Sequence, residues 1–303
     1  MTLFQTQSFF LNPVFLFKPN QKERLGLKRL GSKIKQPNWV YSLKTALPVL
    51  NWTKQLGTES SDESFEIMTN LDGQIYITGR TWGNLNEEIN TNSSWANAFI
   101  TKLDQYGNII WTRLFGDGKH DLDSTLDSSG NIYIGSRSIF YKFDSLGNKI
   151  WEVEKNSPGE ISTLVTDNDL NVILVITNFS WTESEIYIEK YDRFGNQIWL
   201  SEKFTLDFRS ARNVDDISVD NLNNIYLTGS IPSNLESATV NDSNLFLAKY
   251  DESGNQVWIQ EYNPNGSQPS EHTLGNEIVV SASNNIYING YGSGSDFLIK
   301  YDN

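Results

Sequence analysis

Four copies of one phrase constrain this chain more than any other feature: KLDQYGNIIW at 102–111, KFDSLGNKIW at 142–151, KYDRFGNQIW at 190–199 and KYDESGNQVW at 249–258. A fifth copy begins as KYDN at 300–303. The tryptophans that end the phrase, Trp111, Trp151, Trp199 and Trp258, are separated by 40, 48 and 59 residues. Self-similarity at this spacing describes a fold assembled from copies of one supersecondary unit, none of which can bury its apolar face alone. Within each phrase Asp104, Asp144, Asp192 or Asp251 stands three residues before a glycine, with β-branched and aromatic residues on either side. Aspartate suits the first position of a type I turn and glycine supplies the positive φ of a bulge, so each phrase predicts a β-hairpin.

A second phrase supplies a further strand: QIYITG at 74–79, NIYIG at 131–135, NVILVIT at 171–177, NIYLTG at 224–229 and NIYING at 285–290. Turn residues such as Asp72-Gly73 and Ser129-Gly130 precede it, and short runs containing apolar residues, for example 65–69, 161–166 and 278–280, lie before those turns. Each unit therefore has four strands. The expected fold is all-β, a β-propeller of four-stranded antiparallel blades, five in number, over residues 51–303. The first Trp-containing strand, 52–56, has no hairpin partner, and the last unit lacks its fourth strand. Pairing of 52–56 with 297–301 would cover both open edges, so the N-terminal strand is expected to close the ring on the C-terminal blade.

These units resemble the bacterial β-propeller repeat called SBBP, whose pattern includes a GNIYITG strand, an FITKYD strand and a hairpin of Gly-Asn, an apolar residue and Trp. The resemblance covers about residues 51–303, and it is closest in units 1, 4 and 5. Gly135 directly follows the strand in unit 2, and Thr177 replaces the strand-ending glycine in unit 3. The resemblance implies a propeller, usually extracytoplasmic, without a defined activity. The hairpin phrase is also similar to the tryptophan-docking motif of quinoprotein dehydrogenases, but no matching cofactor constellation accompanies it.

Charge divides the chain in two. Residues 1–50 hold eight Lys or Arg against Glu23 alone, so with a net charge of -13 overall the remainder stands at -20. An acidic repeat region repels nucleic acid and anionic lipid, which excludes nucleic-acid binding through the repeats. The apolar stretch 9–17 is interrupted by Asn12 and Pro13 and is followed, not preceded, by basic residues, the reverse of a secretory signal. No stretch is long enough to span a bilayer. Residues 1–50 read as a basic, poorly ordered N-terminal extension, whose run from Lys18 to Lys35 could touch an acidic partner or membrane surface. The absence of cysteine removes disulfides and thiolate metal sites.

Catalytic signatures are sparse. His120 and His272 belong to no metal-binding spacing, and neither GYGSG at 290–294 nor GLKRLGSK at 26–33 has the spacing of a nucleophile elbow or a phosphate loop. Asp167, Asp169 and Asn171 alternate like the start of a calcium loop but lack its central glycine and distal glutamate, so they read as an Asx turn. Alignment of the first strands places Glu66, Asp123, Thr163, Asp216 and Glu277 at one equivalent position. Facing a central channel, the four carboxylates would repel one another, a strain relieved by raised pKa values or by a bound cation, calcium being the candidate. No other cofactor is implied. A lysine stands two residues before each turn aspartate, as Lys102, Lys142, Lys190, Lys249 and Lys300, and repetition in every unit assigns it to blade architecture.

Length variation concentrates on one face, that of the second-to-third and fourth-to-first strand connections. It falls at 79–97, 177–185 and 229–244, against four residues at 135–138. Trp82, Trp95 and Trp181 lie in these loops among Asn, Ser and Thr. Aromatic plates beside amides and hydroxyls on a rigid scaffold suit a protein or glycan partner. The expected function is thus a non-catalytic binding or scaffolding protein, the alternative being a lyase- or glycoside-hydrolase-type enzyme using carboxylates at the channel mouth.

Overall fold

The computed structural model describes residues 50–302 apart from 92–94, 117, 119–121, 180–182, 208–213, 233–242, 263–272 and 293–294. The regular elements among them are strands, gathered into five antiparallel sheets that follow one another along the chain. Sheet 1 runs in the order β1 (Asp62–Thr69), β2 (Ile75–Thr81), β3 (Asn97–Leu103), β4 (Ile109–Phe115). Sheet 2 follows as β5 (Leu122–Leu126), β6 (Ile132–Ser136), β7 (Ile139–Phe143), β8 (Lys149–Glu154). In sheet 3, β9 (Glu160–Thr166), β10 (Val172–Phe179), β11 (Glu183–Tyr191) and β12 (Gln197–Leu200) are joined by β13 (Phe204–Asp207), which also pairs with β11. Sheet 4 contains β14 (Asp216–Val219), β15 (Ile225–Pro232), β16 (Ser243–Tyr250) and β17 (Gln256–Tyr262), and sheet 5 contains β18 (Thr273–Val280), β19 (Ile286–Gly292) and β20 (Ser295–Tyr301). The architecture is all-β and propeller-like, with the first strands of the sheets innermost.

The predicted hairpins form for the expected reason. Asp104 accepts hydrogen bonds through Oδ1 from the backbone N–H of Tyr106 and Asn108, both at 2.9 Å, and through Oδ2 from Asn108 Nδ2 at 2.8 Å. The pattern repeats at Asp144, Asp192 and Asp251. Each turn glycine is left-handed, with φ near 81° at Gly107 and 82° at Gly147, and a bulge follows in the ladder at Lys102/Leu103 and Lys142/Phe143.

These same glycines receive the tryptophans. A Cβ on Gly147 would stand 3.0 Å from the Trp111 ring, and one on Gly254 would stand 2.8 Å from Trp199. Trp151 lies on Gly195 in the same way. The indole of one sheet thus seats on the hairpin of the next, and the bare turn is what admits it. Trp151 and Trp199 also donate Nε1–H to the carbonyls of Arg193 and Glu252, each at 3.2 Å. Lysines reinforce the junction: Lys102 Nζ donates to Ser145 O at 2.8 Å and Lys142 Nζ to Arg193 O at 2.9 Å, and the same ammonium groups lie 5.1 and 4.9 Å from the ring centres of Tyr76 and Tyr133. Lys190 instead pairs with Asp167 at 2.7 Å, both buried. Lys300 pairs with Asp302. Between consecutive sheets lie four apolar clusters, such as Tyr76 and Ile100 against Ile134 and Phe143, or Tyr226 and Leu247 against Ile286 and Ile288.

The expected ladder between 52–56 and 297–301 is not formed. Residues 50–57 carry no strand, and β20 pairs only with β19 among the described residues. The segment is held instead through Trp52, whose Nε1–H donates to Gln105 O at 3.1 Å and whose ring rests on Gly107 of sheet 1. Trp111, Trp151 and Trp199 seat on the glycine of the following hairpin in the same way. Sheet 5 packs on sheet 4, and on its other face Leu298 is 56% exposed, whereas Leu247 at the same place in sheet 4 is fully buried. Replacing Trp111 with Ala should cost about 3 kcal/mol, as for other large aromatic truncations. Gly147→Ala, a left-handed residue pressed by the same ring, should also lower the melting temperature. Chemical denaturation of both variants checks this, and an unchanged midpoint for Gly147→Ala would remove the turn from the account.

Candidate functional site

Two places gather the residues singled out from the sequence. The first is a cavity of about 440 Å³ among the innermost strands of all five sheets, lined by Glu66, Asp123, Thr163, Asp216 and Glu277. The alignment of first strands therefore brings its five positions together. Their chemistry is more structural than a ring of free carboxylates. Asp123 accepts from its neighbour Ser124 N at 2.8 Å and, across the junction, from Leu164 N of sheet 3 at 2.7 Å. Asp216 does the same, accepting from Ile217 N and from Ile278 N of sheet 5, both at 2.8 Å. Each aspartate thus ties its own inner strand to the next one. Glu277 accepts from Asn289 Nδ2 at 3.0 Å within its own sheet.

Burial, more than mutual repulsion, sets the acidity here. It pushes Glu66 up to about 7, with smaller contributions from the charges of Asp123 and Glu277. Burial also pushes Asp216 up to about 8, against the pull of its two backbone donors, and raises Asp123. Among the described residues no group of three or more His, Asp or Glu side chains is placed to hold a metal ion. Asp167 of the calcium-like sequence forms the Asx turn: Oδ1 accepts from Asp169 N and Asn171 N, and Oδ2 faces Lys190. His120 and His272 lie outside the described residues.

The second place is the loop face, best built between β2 and β3. There the chain makes a small turn of its own, Leu85 and Glu88 exchanging backbone hydrogen bonds at 3.0 Å, with Leu85 buried beneath it. Glu88 pairs with Arg113 of β4 at 3.2 Å, and Asn86 Nδ2 donates to Thr112 Oγ1 at 2.9 Å. The loop is therefore anchored at its centre by an apolar plug and on its flank by β4. Outward it shows Trp82, 39% exposed, and Trp95, 53% exposed. The Arg80 guanidinium lies 5.3 Å from the ring centres of both Trp82 and Phe65, and its other side meets Glu63 at 2.6 Å. Trp82 is thus partly a packing residue, stiffened by a cation, with one surface left to solvent. Ile89 is exposed on the same loop, and an isoleucine among Asn and Glu residues is its one signal in the sequence. Trp181 lies outside the described residues.

No family model matches the chain, and no curated protein matches it. Among solved structures, a protein of unknown function from Dyadobacter fermentans is similar at 8% identity, over 78% of this chain and 77% of that one, with a TM-score of 0.49. The WD40 domain of Neurospora crassa Pan2 is similar at 13% identity over 75% of each chain, with a TM-score of 0.42. Virginiamycin B lyase from Staphylococcus aureus is similar at 11% identity, over 78% of this chain and 83% of the lyase, with a TM-score of 0.43. No helix among the described residues is long and apolar enough to cross a membrane.

The raised Glu66 carries a definite pH dependence. Unfolding returns it to about 4.5, so the folded chain holds a proton that the unfolded chain releases. Its contribution is then most favourable below pH 4.5 and is lost as pH rises through 7. Glu66→Gln should raise the melting temperature at pH 8 and leave it unchanged at pH 4. Thermal melts across that range check the sign, and equal effects at both ends would contradict it.

Proposed function

We propose that this chain is a non-catalytic binding or scaffolding protein of the SBBP-repeat kind, its five sheets serving as propeller blades and its loop face receiving a protein or glycan partner. The observation that carries this reading is the anchored 82–96 loop. Its apolar plug, ion pair and side-chain hydrogen bond hold Trp82, Ile89 and Trp95 outward on a connection far longer than its two strands need. Rigid aromatic and aliphatic side chains lose little freedom on contact, which is what a binding hot spot requires. Trp181 is expected on the same face, since it lies in the corresponding connection of unit 3.

The enzymatic alternative draws on one feature, the raised Glu66 and Asp216 sharing a cavity with Glu277. General acid-base work needs two groups poised on a substrate. Asp216 is occupied instead by two backbone donors, one of which holds sheet 5 in place. This favours the structural assignment.

The test replaces Trp82, Ile89, Trp95 and Trp181 with Ala, singly and together, and screens glycan arrays and candidate proteins. Loss of a binding signal that Glu66→Gln leaves intact supports the loop face. An unchanged binding profile with a lowered melting temperature shows packing residues and overturns the reading.

A further inference from the structure

The face opposite the loops carries tight turns, and five of them present apolar side chains to solvent. Leu71 and Leu222 sit on the first-to-second strand turns of sheets 1 and 4, and Tyr106, Leu146 and Phe194 on the third-to-fourth strand hairpins of sheets 1, 2 and 3. All five are between 66% and 102% exposed. The fold does not ask for them. Ser253 occupies the place of Tyr106, Leu146 and Phe194 in sheet 4, and its hairpin keeps the same hydrogen bonds, Asp251 accepting from Ser253 N at 3.0 Å and Asn255 N at 2.8 Å. Ser128 stands where Leu71 does, and Ser129 and Ser283 stand where Leu222 does. Apolar residues at sites where sibling turns carry serine mark a surface with a use outside the fold.

The surroundings define what would cover it. Each hairpin begins with an aspartate, and Asp72 and Glu252 add further negative charge. Of the nearby cations, Lys102 and Lys142 are turned inward onto backbone carbonyls, Lys149 is paired with Glu152, and Arg193 lies over the Phe194 ring beside Asp192, which leaves the turns acidic in sum. A complementary occupant is basic and rich in aromatic residues. Residues 1–49 have that composition: eight Lys or Arg against one Glu, preceded by Phe4, Phe9, Phe10, Phe15 and Phe17. The described chain also starts on this face, because Trp52 is hydrogen-bonded at 3.1 Å to Gln105, the neighbour of Tyr106. A chain of the length that separates Leu50 from the Phe9–Phe17 stretch has a random-coil reach of about 30 Å, which sets a high effective concentration at the nearby turns.

We propose that the N-terminal segment 1–49 docks on the turn face of its own chain, its phenylalanines covering Leu71, Tyr106, Leu146, Phe194 and Leu222 and its lysines and arginines facing the turn carboxylates. The segment is then an intramolecular strap on the face opposite the loops, and the proposal stands independently of any partner there.

Limited trypsin digestion of the full chain tests this, because the target bonds from Lys18 to Lys35 lie within the strap. The comparison variant carries serine at all five tip positions, the residue type the sibling turns use; a second variant carries Phe9→Ser, Phe10→Ser, Phe15→Ser and Phe17→Ser. Cleavage in both should be about tenfold faster than in the wild type, the ratio expected for loss of roughly 1.4 kcal/mol of docking. The melting temperature should be unchanged, and 0.5 M salt should accelerate cleavage of the wild type. Equal cleavage rates in all three proteins would overturn the proposal. So would protection that grows with protein concentration alongside a doubled mass in sedimentation, since a second copy would then cover the face.

Discussion

The seating of an indole on the bare turn of the following sheet is the contact on which the rest of this structure depends. Antiparallel sheets of three or four strands hide one face well and leave the other wet. Here sheets 1 to 4 are locked one to the next by a tryptophan over a left-handed glycine, with Lys102 and Lys142 bracing the first two junctions from the side. The turn aspartate, the glycine and the tryptophan form one device spread over two sheets. That explains why they recur together in the sequence: losing the glycine blocks the ring, and losing the aspartate releases the turn that exposes the glycine.

A second set of ties works at the inner end of the sheets. Asp123 and Asp216 each reach a backbone N–H of the adjoining inner strand, so carboxylates raised by burial fasten the centre while indoles fasten the rim. Thr78 and Ser124, 3.0 Å apart, add a hydroxyl link between sheets 1 and 2. With both ends of a sheet tied, its connections are free to vary without loosening the frame. The loop between β2 and β3 uses that freedom, adding an apolar plug and an ion pair of its own.

The strands, the hairpins and the meeting of Glu66, Asp123, Thr163, Asp216 and Glu277 were legible in the sequence because each is set by local spacing and by the period of the repeat. What the carboxylates do was not. Whether an aspartate repels its neighbours or accepts an N–H depends on the lateral offset between two inner strands, and no single unit encodes that offset. The segment at 52–56 misled for the same reason. Its resemblance to a fourth strand is real, since Trp52 makes the rim contact of a fourth strand, but the ladder partner would have to come from the far end of the chain, and local spacing does not encode that pairing. Ile89 was passed over because it lacks the repeat's signature, and its exposure follows from Leu85 taking the buried place in the same turn.

Hydrogen exchange of Trp52→Ala beside the wild type examines the rim contact most directly, because Trp52 lies outside every sheet and can be removed without breaking a strand. If the indole-on-turn contact holds each hairpin, exchange should speed up sharply at 104–109, beneath the missing ring, and stay slow at 251–256, where Trp199 is untouched. Equal exchange at 104–109 in the two proteins would contradict the account.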